Sequence, residues 1–446
     1  MAHQHAKHRP NPDLRHQVPV PAPTVAEVEQ QLWELLSPSL LAPRLLERQD
    51  PHHPQRQIRM RARLLTLPVL VVILVGLVWR RLRSLAEVQR VLAREGLLWV
   101  APLPVSAQAI GKRLDTLPAA VLGAVFGEVC ARLQAAPALV LPGQERWAAV
   151  RAQFPLIAIA DGSTLEALRK RTAALQAVEG PVLAGRLLVL VEAFTHRPLW
   201  QLYTEDAAAN DKRFTTELLA AVPEGGLLIF DLGFFSFAWF DDLVEQQKYF
   251  VTRLREKTAY RTVQVLSEGP HYREELIEVG LYRSNPCRHP RLRLVTVRWQ
   301  GQTYRYLTNV LEPQRLSARQ VCELYRRRWR IEDAFLLTKR VFDLAYLWTA
   351  SPNGIQLQII ATLLFYAVLL TVCQQVAQAL GEPLERISVE MVFRAFYHYS
   401  RAVQRGESDN LIAFLTQYTK LLGLVKRQRK RHRDRQQEEL QVWGEP

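Results

Sequence analysis

The chain has 446 residues, of which 48% are hydrophobic and 23% are charged, a composition typical of a globular protein. Lys and Arg number 58 against 43 Asp and Glu, giving a formal net charge of +15 at pH 7, which predicts a polyanionic partner, either nucleic acid or an anionic membrane surface. Four widely separated cysteines without a CxxC pair argue against a zinc site or a disulfide framework and favour a reducing cytosol.

The amino-terminal region divides into a tail and a helical domain. Residues 1–24 are rich in His, Pro and charge, which predicts a disordered tail without a secretory signal. Residues 25–150 are expected to form a helical domain. Its helix-start signals are a capping box at Ser84 and Glu87, a second cap at Ser106, and Pro118 at the start of a further helix.

Within this helical domain, Lys112 and Arg113 are expected to be exposed on a short helix followed by a tight turn. That arrangement fits a helix-turn-helix that reads DNA, and the net charge favours it. A small helical bundle that binds nothing has the same pattern, so both interpretations stay open.

Two apolar runs resemble membrane spans in part. Residues 64–79 are too few to cross a bilayer and contain Pro68 and Gly76, and polar side chains interrupt residues 355–373. We expect both runs to be buried helices and the protein to have no membrane partner.

Two aspartates follow apolar strands in residues 151–247, which we interpret as the first part of an α/β core with a mixed sheet. Asp161 ends the run that starts near residue 155, and Asp231 ends the run that starts at residue 226. Both side chains can therefore lie at the carboxyl ends of adjacent strands. Each aspartate could instead merely cap a turn.

A β-rich segment and a long helix follow. Residues 248–312 contain a series of strands with two-faced alternation, which predicts a β-rich insertion. Residues 313–375 are expected to complete the core, and a capping box at Ser317 and Gln320 predicts a helix that runs to about residue 341. Residues 376–446 predict a helical carboxyl-terminal region with a basic tail.

The long helix carries a stripe of polar residues. On a helical wheel Tyr325, Arg328, Glu332 and Lys339 lie within roughly 60° of arc, beside the stripe that should face the core. We therefore expect Glu332 to point inward. The simpler interpretation is an Arg328–Glu332 ion pair four residues apart.

Asp161, Asp231 and Glu332 together fit two-metal phosphoryl chemistry. Carboxylate oxygens are the ligands that Mg²⁺ or Mn²⁺ prefers. Two such ions roughly 4 Å apart can activate an attacking oxygen and stabilise a leaving one. Basic groups and a phenol beside the site would hold a phosphate backbone.

These motifs resemble those of a known family. The spacing Y-x2-R-x3-E-x6-K, from Tyr325 to Lys339, is similar to the signature of the insertion-sequence-four family of DDE transposases. The segments around Asp161 and Asp231, together with FVTRL at 250–254 that contains Arg253, resemble family segments as well. The resemblance covers residues 154–375, about half of the chain.

The resemblance implies a ribonuclease-H-like core with a β-rich insertion between Asp231 and Glu332. It also implies that Tyr325, Arg328 and Lys339 contact DNA phosphates, with Arg253 as a further DNA-binding candidate. Family members with such an insertion cut the second strand through a DNA hairpin and stack a flipped base on aromatic side chains. Trp299 and Trp329 are the candidates here. Packing explains Trp329 equally simply, and the strand alternation favours packing for Trp299, because it places this ring on the face with Val295 and Val297.

The function expected from these features is cut-and-paste transposition at the ends of an insertion sequence. The expected partners are double-stranded transposon ends and target DNA, bound by a homodimer that is cytoplasmic and associated with the nucleoid. A structure-specific nuclease on the same core, or a domesticated DNA-binding protein without turnover, would share most of these features.

Overall fold

The computed structural model describes residues 25–36, 41, 47–49, 57–59, 64–82, 84–135, 141–167, 182–282, 284–336, 338, 344 and 351–426. The expected tail at 1–24 and the basic tail after residue 426 lie outside these ranges, as does Lys339.

Helices form both ends of the described chain. The amino-terminal ones are α1 (Ala26–Leu35), α2 (Leu67–Trp79), α3 (Leu85–Arg94), α4 (Ala107–Thr116), α5 (Ala119–Ala135) and α6 (Ala148–Gln153). Between the strands lie α7 (Thr215–Ala220) and α8 (Phe237–Glu245), and after the last strand come α9 (Ala318–Arg327) and α10 (Trp329–Leu336). The last are α11 (Pro352–Leu380), α12 (Val389–Gln404), α13 (Leu411–Gln417) and α14 (Thr419–Leu422).

Strands occupy the middle of the chain. After a small hairpin of β1 (Glu47–Gln49) and β2 (Gln57–Arg59) come β3 (Ile157–Ala167), β4 (Val182–Glu192), β5 (Pro198–Thr204), β6 (Leu227–Ile229) and β7 (Tyr249–Arg253). The later strands are β8 (Arg261–Glu268), β9 (Tyr272–Glu278), β10 (Arg291–Trp299) and β11 (Gln302–Thr308).

Strands β3 to β11 form one nine-stranded mixed sheet in the order β5-β4-β3-β6-β7-β11-β10-β9-β8. The β3–β6 and β6–β7 pairs are parallel, and the other pairs are antiparallel. The β-rich segment therefore extends the same sheet through the pairing of β11 with β7.

The two faces of the sheet bury different clusters because successive side chains alternate. Ile157, Ile159 and Ile229 face the cluster formed with the terminal helices. Ala158 and Phe230 face the opposite cluster, where Phe240 of α8 stacks on Phe250 with ring centroids 4.5 Å apart.

Helix α11 lies at the centre of the helical layer. Ser351 caps its first turn, and Gly381 ends it in the left-handed conformation at φ 64°. Its length and hydropathy would suffice to cross a membrane, but 89% of its most apolar window is buried inside the fold. Taken together, α4 and α5 pass the same test with a 79° bend between them. The two apolar runs of the sequence are thus buried helices, as expected.

The amino-terminal helices are attached to α11 by polar contacts as well as apolar ones. Asn353 Nδ2 donates to the carbonyl oxygens of Leu114 and Leu117, and Asn353 Oδ1 accepts from the N–H of Ala119. The expected caps are present, with Ser84 and Ser106 accepting from backbone N–H groups three residues on.

Candidate active site

The register of β3 and β6 places Asp161 beside Asp231. Ile159 pairs with Ile229 in the parallel ladder, and each aspartate stands two residues further along its chain. Both side chains therefore continue the face of the sheet that Ile159 and Ile229 share, below the helices.

Asp161 does not end its strand as expected. Its backbone pairs with Val189 of β4, and that antiparallel ladder continues to Ala167. Only the parallel pairing with β6 ends before it. The strand continues because the long neighbouring strand β4 still offers hydrogen-bond partners after β6 has turned away.

The Asp161 carboxylate is buried and has two donors. Oδ1 accepts from the N–H of Gly162 at 2.8 Å, and Oδ2 accepts from Arg328 Nη1 at 2.7 Å. Burial raises the pKa of Asp161 to about 6, against the lowering effect of Arg328, and the negative charge of Asp231 adds to the rise.

Asp231 begins a tight turn. Its carboxylate accepts from the N–H of Gly233 at 2.8 Å and caps the short 3₁₀ turn Leu232–Phe234. The capping role that the sequence suggested as the simple explanation is therefore real. Asp231 caps this turn and also lies beside Asp161, so the capping role does not exclude a role in metal binding.

The helix that carries Arg328 and Glu332 is interrupted, against expectation. The capping box at Ser317 is confirmed, but α9 ends at Arg327 and α10 begins at Trp329. Arg328 stands at the break and its N–H bonds back to the carbonyls of Arg326 and Tyr325. The break lies where the Arg328 side chain reaches the buried Asp161.

The expectation that Glu332 points inward is wrong in this conformation. Its side chain is 48% exposed, and its Oε1 lies 3.7 Å from Arg328 Nη2. Arg328 itself is only 10% exposed and is 1.0 Å closer to Asp161. A buried carboxylate is less screened than an exposed one, so Arg328 pairs with Asp161 and leaves Glu332 at the solvent edge. The plain Arg328–Glu332 ion pair is therefore not what holds this arginine.

The donor chemistry of this group fits a hard divalent cation. The carboxylates of Asp161 and Asp231 are close enough for the charge of Asp231 to act on Asp161, and Glu332 lies at the edge of the same group through Arg328. In the described residues no three His, Cys, Asp or Glu side chains are gathered closely enough to hold an ion. The Arg328 guanidinium instead supplies the positive charge that Asp161 needs.

The segment that contains Asp161, Asp231 and Glu332 matches a known family model. Residues 153–368 match the family model described as "Transposase DDE domain". This match covers 216 of the 446 residues. The matched segment includes Asp161, Asp231, Arg328 and Glu332, and it ends within α11.

The chain is similar to a curated protein and to a solved structure. "Putative transposase y4zB" of Sinorhizobium fredii (strain NBRC 101917 / NGR234) is 26% identical over 171 residues, which are 37% of this chain and 47% of that protein. The chain thus spans about half the length of this relative. "Cryo-EM structure of piggyBac transposase synaptic complex with hairpin DNA" aligns over 91% of this chain and 84% of that chain, with a TM-score of 0.36 and 11% identity.

The other residues expected at the DDE site are distributed unevenly. Tyr325 is buried, and its ring lies 5.2 Å from that of Tyr306. Arg253, exposed at the end of β7, is close enough to lower the pKa of Tyr325, which burial raises. Trp329 is 60% exposed beside Arg328, whose guanidinium carbon lies 5.4 Å from its ring centroid.

Three candidates lie away from these side chains. Trp299 is half-buried at the end of β10, 6.4 Å from the ring of Tyr304. Lys112 and Arg113 are on α4, with Lys112 exposed and Arg113 half-buried. Lys339, the last residue of the sequence signature, lies outside the described residues.

Sequence reasoning missed two residues that lie against the DDE aspartates. Arg186 of β4 and Asp211 form a two-pronged ion pair, with Nε–Oδ1 at 2.6 Å and Nη2–Oδ2 at 2.7 Å. Arg186 interrupts an otherwise apolar strand, which is the one signal that could have singled it out. Asp211 follows Asn210 in a turn sequence and gave no such signal.

Proposed function

We propose that the chain is a DNA transposase that cleaves and joins phosphodiester bonds at the ends of an insertion sequence. The observation that carries the proposal is the adjacency of Asp161 and Asp231 on one face of the sheet, joined to Glu332 through Arg328. This group lies inside the segment that matches the transposase DDE domain.

Asp161, Asp231 and Glu332 would hold two Mg²⁺ or Mn²⁺ ions. When bound, these ions would activate the attacking oxygen and stabilise the leaving one. The chain's own contribution is the burial of Asp161 and the fixed turn at Asp231, which hold two ligands before DNA arrives. Glu332, at the solvent edge, is placed to complete the site from the DNA side.

The basic and aromatic groups around this site would position the DNA. Arg328 is held by Asp161, and neutralisation of that carboxylate by a cation would release the guanidinium for a phosphate. Tyr325, Arg253 and Lys339 are proposed as further backbone contacts. Trp329 is the exposed ring beside the site, so we assign base stacking in a hairpin intermediate to Trp329 rather than to Trp299.

Several finer features belong to the same proposal. The order β5-β4-β3-β6-β7, antiparallel on one side of β3 and parallel on the other, supports a ribonuclease-H-like core. The sequence signature supports membership of the insertion-sequence-four family. Two ends must be paired before they are joined, so the active form is proposed to be a homodimer on DNA, in the cytoplasm at the nucleoid.

The test is cleavage and strand transfer with the DNA that flanks the gene, which also identifies terminal inverted repeats. Asp161→Asn, Asp231→Asn and Glu332→Gln should each lower cleavage with Mg²⁺ by at least about a hundredfold, because each removes a ligand of the ions that stabilise the transition state. DNA-end binding should persist, since phosphate contacts come mainly from basic groups.

Asp206→Asn is the matched control, because Asp206 is an exposed carboxylate paired with Arg213 outside the site. Cleavage by Glu332→Gln at the wild-type rate would remove Glu332 from the ligand set. Cleavage without strand transfer would favour the structure-specific nuclease, and end binding without cleavage by the wild-type chain would favour a domesticated DNA-binding protein.

A further inference from the structure

The Arg186–Asp211 ion pair is the best-formed polar contact beside the two aspartates that the function does not use. Both oxygens of Asp211 accept from one guanidinium, at 2.6 and 2.7 Å. The Asp211 side chain is 7% exposed and that of Arg186 is 20% exposed. A pair that is both two-pronged and shielded from water is fixed in geometry as well as in charge.

This pair lies against two glycines near the catalytic aspartates: Gly162 directly follows Asp161, and Gly233 is two residues after Asp231. A Cβ added to Gly162 would lie 2.6 Å from Asp211 Oδ1 and 3.0 Å from Arg186 Nη2. A Cβ added to Gly233 would lie 2.9 Å from Asp231 Oδ1 and 3.0 Å from Asp211 Oδ2. The Asp211 carboxylate therefore fills the space that a side chain would take at Gly162, and at Gly233 it shares that space with the Asp231 carboxylate.

The same glycines hold the catalytic carboxylates. The N–H of Gly162 donates to Asp161 Oδ1, and the N–H of Gly233 donates to Asp231 Oδ1, each at 2.8 Å. Any shift of either glycine would move a ligand oxygen. The Asp211 carboxylate lies against both glycines. It therefore links the part of β3 that follows Asp161 to the turn that follows Asp231, beyond the point where the ladder of β3 with β6 ends at Ile229.

We propose that Arg186 and Asp211 are positioning residues that fix the relative placement of Asp161 and Asp231. The proposal rests on the proposed function of those aspartates. Asp211 is a positioning residue and not a further ligand, because it lies on the side of β3 to which a Gly162 side chain would point, whereas the side chain of the neighbouring Asp161 points to the other side. Arg186 also offsets the charge of Asp211, which would otherwise add a third negative charge to the group formed by Asp161 and Asp231.

The test is Mn²⁺ binding by the full chain without DNA, followed by electron paramagnetic resonance of the free ion. Asp211→Asn and Arg186→Gln should each weaken binding roughly ten- to hundredfold, the usual effect of losing a group that orients metal ligands. The double variant should bind Mn²⁺ no more weakly than the single variant with the larger loss of affinity, since the two residues act as one unit. Arg186→Lys should recover part of the loss.

A purely electrostatic role predicts a different pattern. Arg186→Gln would then tighten Mn²⁺ binding, because it leaves an uncompensated negative charge, whereas Asp211→Asn would weaken it. That pattern, or wild-type binding by Asp211→Asn, would overturn the proposal. Asp206→Asn, which breaks the exposed Asp206–Arg213 pair at 2.8 Å, is the control and should bind Mn²⁺ as the wild type does.

A second measurement tests the packing without any metal. Gly162→Ala should lower the thermal midpoint of the wild-type chain and lower it much less in an Asp211→Ala background, since the clash at 2.6 Å is then removed. Additive effects would show that Asp211 does not fill this space.

Mn²⁺ binding by Asp161→Asn distinguishes failure of the proposed metal site from failure of the positioning role. If Asp161→Asn binds Mn²⁺ normally, the proposed metal site is wrong. If Asp161→Asn loses Mn²⁺ binding while Asp211→Asn binds Mn²⁺ normally, only the positioning role is refuted.

Discussion

At the scale of single residues, Arg328 lies beside Asp161, where the sequence predicted a metal ion. Arg328 donates to Asp161 at 2.7 Å and reaches Glu332 at 3.7 Å. A carboxylate whose pKa is raised by burial is costly to keep charged, and Arg328 offsets part of that cost. The site is therefore held together by the same charge that would later contact DNA.

The two candidate tryptophans differ in exposure, and their substitution should separate packing from DNA contact. Trp329→Ala should leave the free energy of unfolding unchanged within about 0.5 kcal/mol, because its ring is 60% exposed. Trp299→Ala should cost about 1–3 kcal/mol, since the half-buried ring packs on Tyr304 and the core.

Denaturing gels of end-labelled DNA complete this test. Trp329→Ala should reduce hairpin product relative to first-strand cleavage, because stacking on an aromatic ring is worth about 1–3 kcal/mol per base. A hairpin defect confined to Trp299→Ala would reverse the assignment, and the absence of any snap-back product with the wild type would end it.

His196 gives a prediction for the dependence of stability on pH. Burial is the main reason that the pKa of His196 is lowered to about 3; Glu385 opposes the shift, and Arg330 and Arg327 contribute to it. The folded state therefore keeps this imidazole neutral while the unfolded chain takes up a proton near pH 6.5. Stability is fully present above that pH and is lost as the pH falls below it.

Urea unfolding between pH 7 and pH 5.5 measures the effect. The wild type should lose on the order of 1 kcal/mol more than His196→Asn over this window. Asn is chosen because residue 196 has φ 59°, which Asn tolerates. The exposed His398 provides the control, and His398→Asn should keep the wild-type slope. Equal slopes in wild type and His196→Asn would contradict the prediction.

At the scale of elements, helix α9 is fixed on two sides. Arg293, fully buried in β10, donates to the carbonyl of Leu316 just before the helix starts. Near the other end, Arg327 Nη1 bonds Glu385 at 2.7 Å, and its guanidinium carbon lies 4.7 Å from the ring centroid of Phe194. Arg327 and Arg328 thus point in different directions, one to the carboxyl-terminal region and one to the site.

The capping box at the start of α9 should contribute measurably to this placement. Gln320 N–H donates to Ser317 Oγ at 3.3 Å, and Gln320 Oε1 accepts from the Ser317 N–H at 2.8 Å. Ser317→Ala should lower the free energy of unfolding by about 1 kcal/mol. Ser317→Asp, which keeps an acceptor, should restore most of it in the same urea titration. No change in Ser317→Ala would show that tertiary contacts alone fix the start of α9.

At the scale of the whole molecule, the amino-terminal helices and the segment that matches the DDE domain model share one apolar cluster. Helices α2, α4 and α5 all pack against α11, which continues beyond the end of the family match. The cluster contains residues of α2 such as Ile73 and residues of α11 such as Ile360, both fully buried. The helical region that could read DNA ends is therefore also part of the core.

This packing predicts how truncation should behave. A fragment without residues 1–140 should be insoluble or molten, because it exposes the face of α11 that α2 and α5 cover, and burial is worth about 25 cal/mol per Å² of apolar surface. Near-ultraviolet circular dichroism of the fragment checks this. A soluble fragment with native tertiary signal would show that the helices are a separate unit.

End recognition must accordingly be tested in the full chain. Lys112→Ala together with Arg113→Ala should reduce the preference for its own ends over random DNA by about tenfold while leaving folding intact, if α4 reads bases. Arg90→Ala on α3, which breaks an exposed pair with Glu87 at 2.5 Å, is the control for the loss of an exposed basic side chain. An unchanged preference would place recognition elsewhere.

The sequence by itself determined the local features of this protein. The caps at Ser84, Ser106 and Ser317, the buried helices in the two apolar runs, and the strands that lead to Asp161 and Asp231 depend on nearest neighbours and on the period of hydrophobic residues. Such signals act over one or two turns of chain, so the residues themselves carry them.

Only the tertiary structure decided the partners of charged groups. The hydrophobic periodicity predicted one helix through Arg328 and an inward Glu332. It carries no information about the buried carboxylate of Asp161, which is 167 residues away in sequence and binds Arg328. The pairing of Arg186 with Asp211, and the packing of that pair on Gly162 and Gly233, join four segments of the chain. Contacts of this kind depend on strand order and register, because these bring distant charges together in a region of weak screening.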